Sequence, residues 1–292
     1  MINGIINVYK EEGYTSFDVV AKLRGITKIR KIGHTGTLDP DATGVLPVCI
    51  GSATKLCDML TDKTKEYEAV LRLGLVTDTQ DASGTVLERH EVNITKEEFE
   101  QAIMSFVGKS KQIPPMYSAL KVNGKKLCDM AREGIEVERK PRDIEITNIK
   151  ILDMNKDMAK IRVECSKGTY IRTLCNDIGA KLNCGGIMES LVRIRSGAFN
   201  IKDAYRLKDI ETLAKEGRLD EIVTPVDSMF EEFPLKTVNG EDLKRVENGN
   251  QLAIPYMGDR IRIYMGDGKF VAIYDYSGQN KCYTPYKMFL ER

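Results

Sequence analysis

The sequence predicts an α+β fold: a mixed, largely antiparallel sheet with flanking helices, followed by a small β-barrel. Three observations carry this. Tyr67, Ala69, Leu71 and Leu73 alternate with Glu66, Glu68, Val70 and Arg72, and Ala159, Ile161, Val163 and Cys165 alternate with Lys160, Arg162 and Glu164, the pattern of strands with one buried face. Ile171, Leu174, Cys175, Ile178 and Leu182 fall at helical spacing. From about Pro234 the texture changes to short strands, where Arg260 to Met265 and Lys269 to Tyr276 flank the hairpin signal Gly266-Asp267-Gly268.

Before these elements, Gly4 to Tyr9 reads as a buried strand, and the first eight residues lack the basic start of a signal peptide. Thr15-Ser16 offers an N-cap to a short helix carrying Phe17, Val19, Val20 and Leu23 and ending at Gly25. Lys22, Arg24, Lys28, Arg30 and Lys31 follow without an acid among them. Residues 33 to 47, rich in Gly, Pro, Thr and Asp, read as an ordered loop. Residues 202 to 232 are charged, with a weak helix from Leu207 to Leu219, and close the first domain. The division is therefore 1–232 and 233–292.

Composition narrows the function classes. With 42% hydrophobic and 30% charged residues, the 292-residue chain has an ordinary globular profile and enough apolar material for a core without disulfides or structural metals. A net charge of +1 argues against a protein that coats polyanions, though it allows a local basic groove. The seven cysteines are odd in number and lack C-x-x-C spacing, and there are two histidines, so no metal site is expected and the cysteines read as reduced, as in the cytoplasm. No stretch approaches the roughly 18 apolar residues of a membrane span.

The informative segment is Gly33-His34-Thr35-Gly36-Thr37-Leu38-Asp39-Pro40-Asp41-Ala42-Thr43-Gly44-Val45-Leu46-Pro47. Its glycines permit tight backbone paths and close ligand approach, and Pro40 pushes Asp39 out of helical geometry, so its carboxylate can be held at a fixed point. A lone Asp-Pro is more often only a turn. Here the flanking His-Thr-Gly and Ala-Thr-Gly elements favour chemistry.

This segment resembles the catalytic motif of the TruB family of tRNA pseudouridine synthases. Four further segments resemble that family in the same order: Lys65-Glu66-Tyr67, the strand with an active-site tyrosine; Thr77 to Gly84, an acidic loop; Gln112 to Lys121 with Gly124-Lys125-Lys126, an RNA-facing segment; and Ser166 to Arg172, which carries the arginine that pairs with the aspartate. The resemblance spans residues 1 to about 230, and the tail is similar to PUA-type RNA-binding domains. One departure is Lys10-Glu11-Glu12-Gly13, where the family usually has Lys-Pro-x-Gly.

The resemblance implies a pseudouridine-synthase-type sheet and isomerisation of uridine-55 in the T arm of tRNA, without cofactor or metal, by a cytoplasmic monomer. The N1–C1′ bond of a flipped-out uridine breaks, the base turns, and it rejoins through C5. A carboxylate can attack C1′ or stabilise the charge developing on the sugar, and Asp39 is the candidate. Arg172 favours its ionised form. Tyr67 offers a ring for stacking on uracil, worth about 1–3 kcal/mol per base. His34, Asp81, Tyr170 and Leu191 are candidates for substrate contact or the pocket wall. In the insertion 121–142, Lys121, Lys125 and Lys126 are candidates for gripping phosphates, with Arg132, Arg139, Lys140 and Arg142 nearby.

Two other readings stay open on sequence alone. An RNA-binding or tRNA-folding protein without chemistry would use the same basic insertion and tail, but would not need Asp39 with Tyr67 and Arg172. A glycosidase would need Asp39 and Asp41 to face one another, which two loop residues so close in sequence do not ensure.

Overall fold

The computed structural model describes residues 2–290; Met1 and the last two residues of the tail, Glu291 and Arg292, lie outside the described residues. The chain opens with the expected buried strand, β1 (Gly4–Lys10). Thr15 then caps α1 (Ser16–Thr27) through a reciprocal capping box with Asp18, and Lys28, in left-handed conformation, ends the helix slightly beyond the expected Gly25. Ser16, Val19, Val20 and Leu23 share one i, i+3, i+4, i+7 face and are buried. Phe17 lies beside that face and is 62% exposed, which corrects its assignment to the apolar stripe.

The segment read as a loop from 33 to 47 is shorter than expected. β2 (Ile32–His34) and β3 (Thr43–Ile50) take both ends, leaving 35–42 as loop. Pro47 explains the misreading, since proline argues against a central strand. Along one edge β3 pairs with β12 (Gly186–Ser196) at Thr43 and Gly44 and with β2 at Val48 to Ile50, and Pro47 falls in the gap between.

A short α2 (Cys57–Thr61) leads to β4 (Lys65–Leu73), in which every second residue is buried. The acidic loop lies between β5 (Leu75–Thr77) and β6 (Val86–Arg89). Next come α3 (Lys96–Met104), β7 (Gly108–Gln112), the hairpin β8 (Lys121–Val122) and β9 (Lys125–Lys126), and α4 (Leu127–Arg132). The long pair β10 (Arg142–Met154) and β11 (Met158–Cys165) is followed by α5 (Ile171–Lys181), β12 and β13 (Phe199–Asn200). The weak helix of the connector is α6 (Leu207–Lys215), and β14 (Val223–Thr224) closes this part.

Together these strands make one ten-stranded sheet in the order β14-β1-β3-β12-β4-β11-β10-β7, with β2 and β13 added to β3 and β12. Among the described residues of this sheet the β3–β12 pairing alone is parallel. α3 and α5 pack on the β4–β11 half through Phe99, Ile103, Leu174 and Ile178, and α1 and α6 cover the β1–β3 half through Val20, Leu23 and Ile210. The fold is thus the mixed, largely antiparallel α+β arrangement expected.

The tail holds β15 (Leu235–Val238), α7 (Gly240–Glu247), β16 (Arg260–Met265), β17 (Phe270–Ser277) and β18 (Cys282–Met288), a four-stranded sheet in that strand order. It docks on the main sheet: Ile273 and Phe289 share an apolar cluster with Ile5, Val45 and Phe230, and Lys287 Nζ donates to the Lys55 carbonyl at 2.5 Å. Among the described residues no helix is long and apolar enough to cross a membrane.

Candidate active site

The loop 35–42 sits where β3, β12 and β4 meet, and side chains from three directions pin it. Lys10, at the end of β1 and fully buried, donates to the carbonyls of Pro40 (2.9 Å), Tyr14 (2.5 Å) and Glu11 (3.1 Å). The Ser16 hydroxyl accepts from the Leu38 amide at 2.9 Å, and the Gly13 amide donates to the Pro40 carbonyl at 3.1 Å. From behind, Arg193 of β12 donates to the carbonyls of Val45 and Gly36 at 2.7 and 3.1 Å. Gly44, the second residue of β3, has φ +106°, and a Cβ there would lie 2.2 Å from the Arg193 carbonyl oxygen, so only glycine lets the two strands meet.

Held this way, Asp39 presents its carboxylate to Arg172. Arg172 Nη1 lies 3.3 Å from one carboxylate oxygen and Nη2 lies 3.3 Å from the other. The arginine is buried at the start of α5, not a surface ion pair, and it also reaches Asp81 at 3.5 Å and donates to the Tyr117 carbonyl at 2.6 Å. Asp81 is fixed in turn by Thr79 Oγ1 (2.6 Å) and by the amide and hydroxyl of Ser83 (3.1 and 2.7 Å). The Asp39 side chain is 36% exposed. Burial raises its pKa above the usual carboxylate value; Arg172 opposes that rise, while Asp81 adds to it.

Around this cluster stand the other candidates. Tyr67 on β4 is buried in the same apolar cluster as Leu38 and Leu191, and burial pushes its phenol pKa up. The Tyr170 ring lies 5.8 Å from the Arg172 guanidinium carbon, and its backbone is held by Gln112 through two hydrogen bonds of 2.8 and 3.0 Å. His34 ends β2, half-buried, with Nδ1 unpartnered; burial and then the Arg193 charge hold its pKa low, so the ring is neutral and suited to stacking or hydrogen bonding rather than to ion pairing with phosphate. Asp41 is exposed beyond Pro40.

Lys121, Lys125 and Lys126 lie apart from this cluster, exposed on the β8–β9 hairpin. The hairpin is tied to the site by the Cys128 amide on the Ser118 carbonyl (3.1 Å), next to the Tyr117 that receives Arg172. Lys125 is engaged by Glu133 at 2.5 Å, Arg132 by Asp129 and Arg139 by Glu136, so this insertion is less freely cationic than its sequence implies.

Lys10 and Arg193 are the residues that the sequence reading left without a role. Both are charged side chains where apolar ones are the rule, so composition gives no hint of them. For Arg193 a weak signal existed: it lies two residues beyond Leu191 and so on the same strand face.

The comparisons with known proteins bear directly on this arrangement. Residues 24–171 match the model of the N-terminal domain of the TruB family pseudouridylate synthases, and residues 172–231 that of the tRNA pseudouridylate synthase B C-terminal domain. This chain belongs to the TruB family. It is 50% identical to tRNA pseudouridine synthase B of Lachnoclostridium phytofermentans, over 99% of this chain and all of that one. It is 46% identical to the protein of the same name from Clostridium kluyveri, over 96% of each. Among solved structures, a chain of an H/ACA ribonucleoprotein bound to a substrate RNA containing 2′-deoxyuridine is 25% identical, with TM-score 0.72 over 99% of this chain and 86% of that one. A chain of a Cbf5-Nop10-Gar1 complex is 26% identical, also with TM-score 0.72, over 99% and 85%. The family model boundary at 171/172 falls beside Arg172, so the Asp39–Arg172 pair joins the two matched segments.

Proposed function

We propose that this TruB-family chain isomerises uridine-55 in the T loop of tRNA to pseudouridine, with Asp39 acting at C1′. The observation that carries the reading is the Asp39 carboxylate, bracketed by Arg172 at 3.3 Å on each oxygen yet still partly exposed. The names of the relatives point to tRNA as the substrate.

A uridine inside a folded T loop must swing out to reach this carboxylate. Once there, its base meets the Tyr67 ring and the apolar wall at Leu191, and its C1′ faces Asp39. As the N1–C1′ bond breaks, positive charge develops on the sugar, and an anionic carboxylate either adds to C1′ or lowers the energy of that charge. Both roles need Asp39 ionised. Its surroundings raise its pKa, and the Arg172 charge opposes that rise and favours the anion. The base leaves with the electron pair of the N1–C1′ bond, turns in place and bonds C1′ through C5, displacing Asp39 if it had added there; C5 then loses its proton and N1 takes one up, so the product is an isomer of the substrate. Lys121 and Lys126 on the hairpin, with the tail sheet beyond, offer a phosphate grip outside the reacting pocket.

The test is incubation of the purified protein with an unmodified tRNA transcript, followed by mapping of pseudouridine at each position. Conversion of uridine-55, in the whole tRNA and in an isolated T-arm stem-loop, is expected. Modification confined to the anticodon arm or to ribosomal RNA, or tight binding without any conversion, contradicts the proposal.

A further inference from the structure

Arg193 is 1% exposed, and among the described residues no carboxylate lies within ion-pair distance of it. Burying a guanidinium without a counter-charge is unfavourable, and an apolar side chain would fill this space with less penalty. Its partners are instead the Tyr67 phenol in β4 and backbone carbonyls drawn from two segments. Nε takes Val45 in β3, at 2.7 Å, while Nη2 takes Gly36 at 3.1 Å and Nη1 lies 3.5 Å from the Thr37 carbonyl oxygen, two residues before Asp39. In register, Arg193 stands opposite Tyr67 in β4 and beside Gly44 in β3. One side chain therefore reaches the incoming arm of the Asp39 loop, the strand that leaves that loop, and the strand that carries Tyr67.

Resting on the function proposed above, we infer that Arg193 is a positioning residue for the isomerisation, a rigid fork that sets the Asp39 loop at its working distance from Tyr67. A planar guanidinium holds several acceptors in fixed directions, whereas a lysine ammonium on a flexible stem does not. Small displacements of a reacting carboxylate are enough to slow chemistry strongly, so the fork acts on rate rather than on RNA affinity. The lysines proposed above to grip phosphate, Lys121 and Lys126, stand elsewhere, on the β8–β9 hairpin.

The experiment compares wild type, Arg193→Lys, Arg193→Gln and Asp39→Asn, each by melting, tRNA affinity and single-turnover pseudouridine formation. Arg193→Lys keeps the charge and loses the fork, and Arg193→Gln keeps one donor and loses the charge. Both are expected to slow single turnover by at least about tenfold with affinity within about threefold of wild type. A folded Arg193→Lys with the wild-type rate, or a loss expressed in affinity alone, overturns the inference. Failure of both variants to fold assigns Arg193 to core stability and overturns it as well. Asp39→Asn separates the two levels: if it stays active, the reading of the site fails beneath the inference, and if it is inactive while Arg193→Lys is unimpaired, only the inference on Arg193 falls.

Discussion

Arg172 meets Asp39 across two 3.3 Å contacts, one to each carboxylate oxygen, and the same guanidinium reaches Asp81 at 3.5 Å. One cation thus serves two carboxylates, and Asp39 is the one left partly open. This sharing explains why the Asp39 pKa stays raised despite the ion pair: burial and the neighbouring Asp81 outweigh what half an arginine provides.

The raised pKa makes a stability prediction. Because the folded value lies above the ordinary 3.8, the contribution of Asp39 to stability is fully present below that pH and is lost as pH rises through the folded pKa. The fold therefore favours the protonated carboxyl over the anion, an effect that Arg172 offsets only in part. Asp39→Asn, which leaves Arg172 its contacts to Asp81 and the Tyr117 carbonyl, should be at least as stable as wild type to within about 1 kcal/mol. Denaturant melts at pH 7 check this, and a loss of several kcal/mol contradicts it.

Lys10 predicts the alkaline behaviour of the enzyme. Burial lowers its pKa to about 8, with Asp39 and Asp41 opposing the shift and Arg193 adding to it. Below that pH the ammonium carries three donors for three carbonyls, including that of Pro40 beside Asp39; above it the neutral amine has only two. Single-turnover rate should therefore fall as pH rises through about 8, and in Lys10→Arg, which stays charged, the fall should move upward. An alkaline limb unchanged by that substitution contradicts the role given to Lys10.

The hairpin lysines predict salt dependence. Lys121 and Lys126 are exposed without a carboxylate partner among the described residues, whereas Lys125 is engaged by Glu133 at 2.5 Å. Neutralising Lys121 and Lys126 together should weaken tRNA binding and flatten the slope of log affinity against log salt by about one to two units. Turnover at saturating tRNA should change little. Unaltered slopes would move the phosphate grip to the exposed cluster of Lys28, Arg30 and Lys31.

What could be read in the sequence follows from where the protein obeys local rules. β4 and β11 bury one face, so their alternation was visible, and α5 shows its stripe for the same reason. The N-cap at Thr15 and the hairpin at Gly266 to Gly268 announce themselves through short-range chemistry. β3 was hidden because it is buried on both faces, carries Pro47, and has a glycine as its second residue. Asp39, Tyr67 and Arg172 stood out as motif residues. Arg193 did not, and Lys10 was noted only within a motif segment and given no role, because their value lies in backbone contacts and a buried cation looks in sequence like any surface charge. Phe17 errs the other way, an apolar residue one position off its helix face.

The central claim is that the Asp39 carboxylate performs the chemistry. The most direct measurement is single-turnover pseudouridine formation at uridine-55 of an unmodified tRNA by Asp39→Asn, with tRNA affinity measured alongside. The amide fits the same loop, since the Lys10, Ser16 and Arg193 tethers all hold backbone or neighbouring residues. Turnover should be abolished while affinity stays within about tenfold, or about 1.4 kcal/mol. Conversion by Asp39→Asn at a rate near that of wild type would remove Asp39 from the mechanism.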